Sequence, residues 1–268
     1  MNLKLHTLVR IGALLITSMS SLKAIEFPAD PVAKGRAIAE AADRRDEGWG
    51  DWSAQARMVL SNRQGQTSSR EMRFRALEQR SDGDKRLIVF DEPRDVKGTA
   101  FLAFTKAIGN DDQWLYLPAL KRVKRISSSN KSGPFVGSEF AYEDLASQEV
   151  EKYTYTYLRD EVIEGLPSHV IERVPVDKNS GYTRQVVWID QAEFRTLRTD
   201  YFDRKGELLK TFTASGYQTY GDNYWRAERF VMSNHQTGKS TELVWRDYVF
   251  TQGLGEREFS QSSLRNAR

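Results

Sequence analysis

The chain has 268 residues, 40 basic and 37 acidic side chains, a formal net charge of +3 and no cysteine. The missing thiols exclude disulfides, thiolate metal centres, cysteine nucleophiles and a lipid-bearing N-terminal cysteine. Lys4, Arg10 and Lys23 lie in the first 24 residues, which hold no acid, so the remaining 244 are formally neutral. They offer no electrostatic footprint for nucleic acid.

Residues 1–24 open with Lys4 and Arg10, continue into an apolar run over 11–16, and reach a small polar stretch over 17–21 before Ala24. That order is the n-region, h-region and cleavage region of a secretory signal. The apolar run is far short of the roughly 20 residues a spanning helix needs. The expectation is a signal over 1–24, a single domain over 25–268, and a Gram-negative periplasmic location, which a cysteine-free exported chain suits.

Asp30 is placed to cap a helix that starts at Pro31 and runs to about residue 46. From Trp52 the apolar period becomes two. Strands are predicted over 53–60, 70–76, 85–91, 99–105, 113–117, 122–127, 152–159, 169–174, 183–189, 196–202, 207–214, 225–233 and 240–250. Residues 127–134 are polar and rich in breakers, and 138–146 reads as a short helix carrying Phe140, Tyr142 and Leu145. Many short strands without intervening helices give a mainly β, antiparallel sandwich or barrel of about ten or more strands.

Catalytic and metal motifs are missing from this pattern. His169 and His235 are far apart and in no ligand spacing, and no GxSxG elbow occurs. No cofactor or metal is expected, and the chain reads as a protein other than an enzyme. A pair of acids meeting in space for hydrolysis of envelope polymers stays open. Lys121, Arg122, Lys124 and Arg125 form a compact basic cluster, suited either to lipid headgroups or an acidic partner, or to a solvated strand edge.

The aromatic inventory says more. Met72 with Phe74, Trp114 with Tyr116, and Tyr155, Trp188 and Trp245 each sit in period-two alternation, so each row needs cover from a sheet, a helix or a ligand. A filled core would satisfy this, and so would a curved sheet around a cavity.

Three segments carry a family resemblance. Trp114, Tyr116 and Pro118 end one strand, residues 121–126 form a basic strand, and Gly137, Ser138, Glu139, Phe140, Tyr142, Glu143 and Asp144 follow. This arrangement resembles the bacterial outer-membrane lipoprotein-sorting family of the LolA-like superfamily. The resemblance implies a half-open, incomplete β-barrel with helices over its mouth, and a cavity accepting acyl chains of lipid or lipoprotein. It also implies a periplasmic carrier working with a resistance-nodulation-division (RND-type) inner-membrane transporter and touching membrane surfaces transiently. On this reading Met72, Phe74, Trp114, Tyr116, Tyr155, Trp188 and Trp245 line the cavity. Phe140, Tyr142 and Leu145 form a lid hinged at Gly133, Pro134 and Gly137, and the basic cluster sits near the mouth. The alternative is a non-transporting accessory subunit of an exporter, with a filled core.

Overall fold

Alternating strands separated by tight turns pair with their sequence neighbours, and thirteen do so here. In a computed structural model, residues 26–79, 82–221 and 223–266 are described; the segment read as a secretory signal lies outside them. The strands are β1 (Asp51–Ser61), β2 (Thr67–Leu77), β3 (Lys85–Glu92), β4 (Ala100–Phe104), β5 (Asp112–Leu117), β6 (Arg122–Ile126), β7 (Tyr153–Ile163), β8 (Leu166–Pro175), β9 (Arg184–Asp190), β10 (Thr196–Phe202), β11 (Leu208–Tyr220), β12 (Tyr224–Asn234) and β13 (Ser240–Phe250). They form one antiparallel sheet in the order β6-β5-β4-β3-β2-β1-β13-β12-β11-β10-β9-β8-β7. The first and last strands pair in its middle, and β6 and β7 are left as its two edges. Residues 127–152 run from one edge to the other.

The sheet is strongly curved. Gln113 on β5 donates to the Tyr142 carbonyl at 3.1 Å, and Lys210 on β11 reaches Asp144 at 2.7 Å. In a flat sheet those strands would lie about 34 Å apart, at 4.8 Å per step. Here they grip residues only two apart in the chain. The concave face therefore folds around the β6–β7 connection. Met58, Met72, Phe90, Phe101, Phe135 and Met232 make up the tightest part of that core.

Helix α1 (Pro31–Arg45) has Asp30 as its N-cap, whose carboxylate accepts from Ala33 N at 2.8 Å. It packs on the concave face, where Ile38 is buried with Tyr155, Ile171, Val187 and Ile189. Gly35 permits this approach: a Cβ there would come within 2.6 Å of the Tyr157 amide nitrogen.

A second helix, α2 (Gln261–Asn266), was not legible as an element. Leu264 within it and Phe259 just before it bury against Leu87, Val89, Ala100 and Leu102 on the convex face. Strands β3 and β4 are thus covered on both sides, which is why their sequences read as almost unbroken apolar runs.

The expected short helix over 138–146 is corrected. The segment holds only a 3-10 turn, Tyr142–Leu145, preceded by Val136 and Gly137 at φ +46° and +80°. Asp144 turns back to accept from Ala141 N at 2.7 Å, and Lys210 holds the same carboxylate, so the chain bends where a helix would continue. This element does not lie across an open mouth. It fills part of the interior, with Phe135 and Phe140 buried.

Candidate functional site

The interior is closed at one end and open at the other. At the closed end Phe135 stands 5.7 Å from Phe90, 5.3 Å from Phe101 and 5.7 Å from Tyr142, centroid to centroid. At the other end, where β1 begins and α1 finishes, a cavity of about 490 Å³ remains. That volume lies within the roughly 300–1,000 Å³ of small-molecule sites.

Inward alternation builds its walls. Trp52, Phe74, Ile88, Phe230, Leu243 and Trp245 come from the β12–β3 half; Tyr155, Ile171, Val187 and Ile189 come from the β7–β9 half. Ala39 and Ala42 of α1 close one side, and Phe140 and Leu145 form the floor against the closed end. Trp245 is the hub, with ring centroids 4.4 Å from Phe74, 5.5 Å from Phe230 and 5.8 Å from Tyr248.

The expected lining residues divide into three groups. Phe74, Phe140, Leu145, Tyr155 and Trp245 line the cavity. Met72 and Tyr142 face inward but pack in the closed core. Trp114, Tyr116 and Trp188 are corrected: they lie on the convex face. Trp114 and Tyr116 pack in the cluster under α2, and Trp188 joins Val170 and Val186, with Arg159 and Arg198 over its ring. The inward residues of those strands are Leu115 on β5 and Val187 and Ile189 on β9, one position away. A one-residue step exchanges the faces of a strand, and an apolar row on each face gave the sequence no means of choosing.

The basic cluster is corrected as well. Arg86, near the open end, pairs with Ala103, Ala103 with Gln113, and Gln113 with Ile126, which sets one rung of the ladder. Arg122 lies four residues below that rung, paired with Leu117, and Lys121 is at the hairpin tip. Lys121, Arg122, Lys124 and Arg125 therefore descend an exposed edge strand away from the mouth.

Sequence reasoning missed the polar end of the cavity, where Asp43, Asp84, Arg86 and Glu149 stand with Arg45, Asp46, Glu47 and Arg226. The signal was available on β3, where Asp84 and Arg86 share parity with the inward Ile88 and Phe90. Arg86 donates to the Leu145 carbonyl at 3.2 Å. Asp84 accepts from the Ser147 hydroxyl at 2.9 Å and from Gln79 N. Burial, reinforced by the neighbouring Asp84, pushes the Glu149 carboxyl up to about 7. Burial and the nearby Glu47 and Asp84 raise the more exposed Asp43 to about 6. Burial also raises Asp84 and lowers the Arg86 guanidinium. The arrangement suits an amphiphile, with chains among the aromatics and a head among the charges. Among the described residues no three His, Asp or Glu side chains converge as metal ligands.

A family described as "uncharacterized protein" matches residues 82–266. No curated protein matches the chain. A crystal structure from Vibrio parahaemolyticus, of a domain described as an outer membrane lipoprotein-sorting protein, is 58% identical with a TM-score of 0.85, covering 87% of this chain and 98% of its own. A DUF1329 family protein from Desulfovibrio piger is 30% identical with a TM-score of 0.83, over 88% and 99%. A LolA superfamily protein from Nitrosomonas europaea shares the fold at 20% identity and a TM-score of 0.68, over 85% and 98%. The chain therefore belongs to the bacterial family of outer-membrane lipoprotein-sorting proteins, the DUF1329 family, and has the LolA-like fold.

Proposed function

We propose that this protein is a periplasmic carrier that takes the acyl chains of a lipid or lipid-modified protein into its cavity and shields them between membranes. The observation that carries this reading is the half-filled interior: an aromatic-walled space of about 490 Å³ above a closed core. Apolar surface leaving water supplies the driving force, about 25 cal/mol per Å² and roughly 0.8 kcal/mol per buried methylene. The family name and the LolA-like fold support a carrier over an enzyme. Among the described residues no helix is long and apolar enough to cross a membrane.

Finer parts of the proposal rest on chemistry alone. Residues 1–24 direct export, and 25–268 form one domain. Phe74, Phe140, Leu145, Tyr155 and Trp245 contact the chains. Lys121, Arg122, Lys124 and Arg125, with Leu120 63% exposed at the same hairpin tip, touch anionic headgroups or an RND-type transporter during loading or delivery. Native mass spectrometry of protein purified from its host tests the carrier. Co-purifying lipid that is lost in Phe230→Asp supports it. Protein that is always empty, and stays empty when offered vesicles, removes it and leaves the accessory-subunit reading.

A second reading has one observation in its favour. Carboxyls that hold protons near neutrality beside a cavity suit general acid–base chemistry. It expects free acid to accumulate from bound ester lipid, and Glu149→Gln to stop that accumulation. Intact lipid recovered after prolonged incubation removes it.

A further inference from the structure

Among the described residues three buried side-chain nitrogens have no hydrogen-bond partner: Arg86 Nε, Trp188 Nε1 and Trp245 Nε1. The two indoles are packed by rings or guanidinium groups. Trp245 stacks among aromatics, and Trp188 lies under two arginines on the convex face. Arg86 is different. Its side chain can only donate; one N–H goes to the Leu145 carbonyl and the Nε–H goes nowhere. Asp84 and Glu149 line the same end of the cavity, yet Asp84 accepts from Ser147 and Gln79, and among the described residues the Arg86 side chain donates only to Leu145. Buried donors are almost always satisfied, so this one takes its partner from the cavity it lines, a water when the cavity is empty and an acceptor of the cargo when it is filled.

The chemistry around Arg86 narrows that partner. A hydrocarbon would leave the Nε–H unpaired. An anion would accept the bond, but eight carboxyls line the cavity against five arginines, and two of those arginines, Arg45 and Arg226, are already paired with Glu193 and Asp46. A neutral carbonyl oxygen satisfies the donor without adding negative charge. In an amphiphile such oxygens occur where the chains join the head, as acyl esters or amides, and Arg86 stands where the apolar wall gives way to the polar end.

We propose that Arg86 is a specificity-determining residue that receives the acyl-linkage carbonyl of the cargo, so the cavity selects ester- or amide-linked chains over ether-linked or purely hydrocarbon ones. This rests on the carrier reading. Phospholipids and diacylglyceryl peptides share the linkage, and both serve as probes.

The test compares vesicles of diester phosphatidylcholine with vesicles of diether phosphatidylcholine of the same chain length, reading protein-bound lipid by native mass spectrometry. A diacylglyceryl-cysteine peptide and diester phosphatidylglycerol are run beside them. The wild type is expected to take the diester about tenfold in preference to the diether, as one recovered hydrogen bond allows. Arg86→Met brings that ratio near one while diether uptake persists, and Arg86→Lys falls between. The relative uptake of peptide and phosphatidylcholine tells which source the cavity prefers. A wild-type ratio near one, or a ratio unchanged in Arg86→Met, overturns the role of Arg86 while leaving the carrier intact. Tenfold preference for phosphatidylglycerol over phosphatidylcholine overturns the neutral acceptor. Failure to take up any of the four probes overturns the carrier reading itself.

Discussion

Lys210 Nζ lies 2.7 Å from Asp144 Oδ2, and the two side chains are only 4% and 5% exposed. The pair joins β11 to the β6–β7 connection and is fully solvated by protein. Lys210 also donates to the Glu139 carbonyl at 2.9 Å, and Asp144 accepts from the Tyr182 hydroxyl at 2.8 Å. Truncating one partner strands a charge in the interior, so Lys210→Met is expected to cost about 3–5 kcal/mol. Urea denaturation measures it. Replacing both residues, as Lys210→Met with Asp144→Leu, is expected to cost less than the sum of the single changes, because neither charge is then left alone. Additive losses would mean that the two side chains act independently.

Glu149 gives the fold a pH dependence of a particular sign. Its folded carboxyl is raised from 4.5 to about 7 by burial and by Asp84. The folded state therefore holds a proton that the unfolded state has released, and stability falls as pH rises between those values. Its favourable contribution is complete below about 4.5 and gone above about 7. Glu149→Gln is expected to stabilise the protein by about 1 kcal/mol at pH 8 and to change little at pH 4, a figure kept low because water reaches the cavity. Melting temperatures of wild type and variant across that range decide the matter; parallel curves would contradict the assignment.

Local pattern accounts for much of this architecture and fails at identifiable places. Thirteen alternating segments specify thirteen strands because turn chemistry and period two act over a few residues each. Asp30 and Pro31 mark the start of α1 for the same reason. The faces of β5 and β9 escaped, because Trp114 and Leu115, or Trp188 and Ile189, are equally apolar neighbours. Only α2 and the arginines over Trp188 decide which is outside. The 138–146 segment departs from the expected helix because its conformation is fixed by Lys210, 66 residues from Asp144 in sequence. The charged end of the cavity draws on α1, β3 and the connection together, and no window of sequence holds all three.

Two tryptophan-scale changes separate the faces experimentally. Ala42 lines the cavity from α1, and a large ring there occupies the space that the cargo would enter. Ala42→Trp is expected to cut lipid uptake at least tenfold while keeping the melting temperature within a few degrees, since it fills a void instead of displacing packed atoms. Trp114→Ala does the opposite. It removes a ring set 5.1 Å from Phe104 on the convex face, which should cost about 2–3 kcal/mol and leave the lipid bound per folded molecule unchanged. Uptake that survives Ala42→Trp, or that disappears with Trp114→Ala at full folding, would place the lipid outside this cavity.

Gly35 sets how closely α1 can sit on β7, and through it the width of the cavity. In an isolated helix alanine is better than glycine by about 1 kcal/mol. At this position the added methyl would meet the Tyr157 amide nitrogen at 2.6 Å and the Thr156 carbonyl carbon at 2.7 Å, atoms of a paired strand that cannot swing aside as a side chain does. Overpacking against backbone should outweigh the propensity gain, so Gly35→Ala is expected to destabilise by about 1–3 kcal/mol. The helix would have to move outward. That relaxation draws Ala39 and Ala42 back from the cavity and should loosen the grip on bound chains, seen as faster exchange of a fluorescent lipid. An unchanged or raised stability in Gly35→Ala would show that α1 rides free of the strand, and the cavity wall would then be mobile instead of fixed.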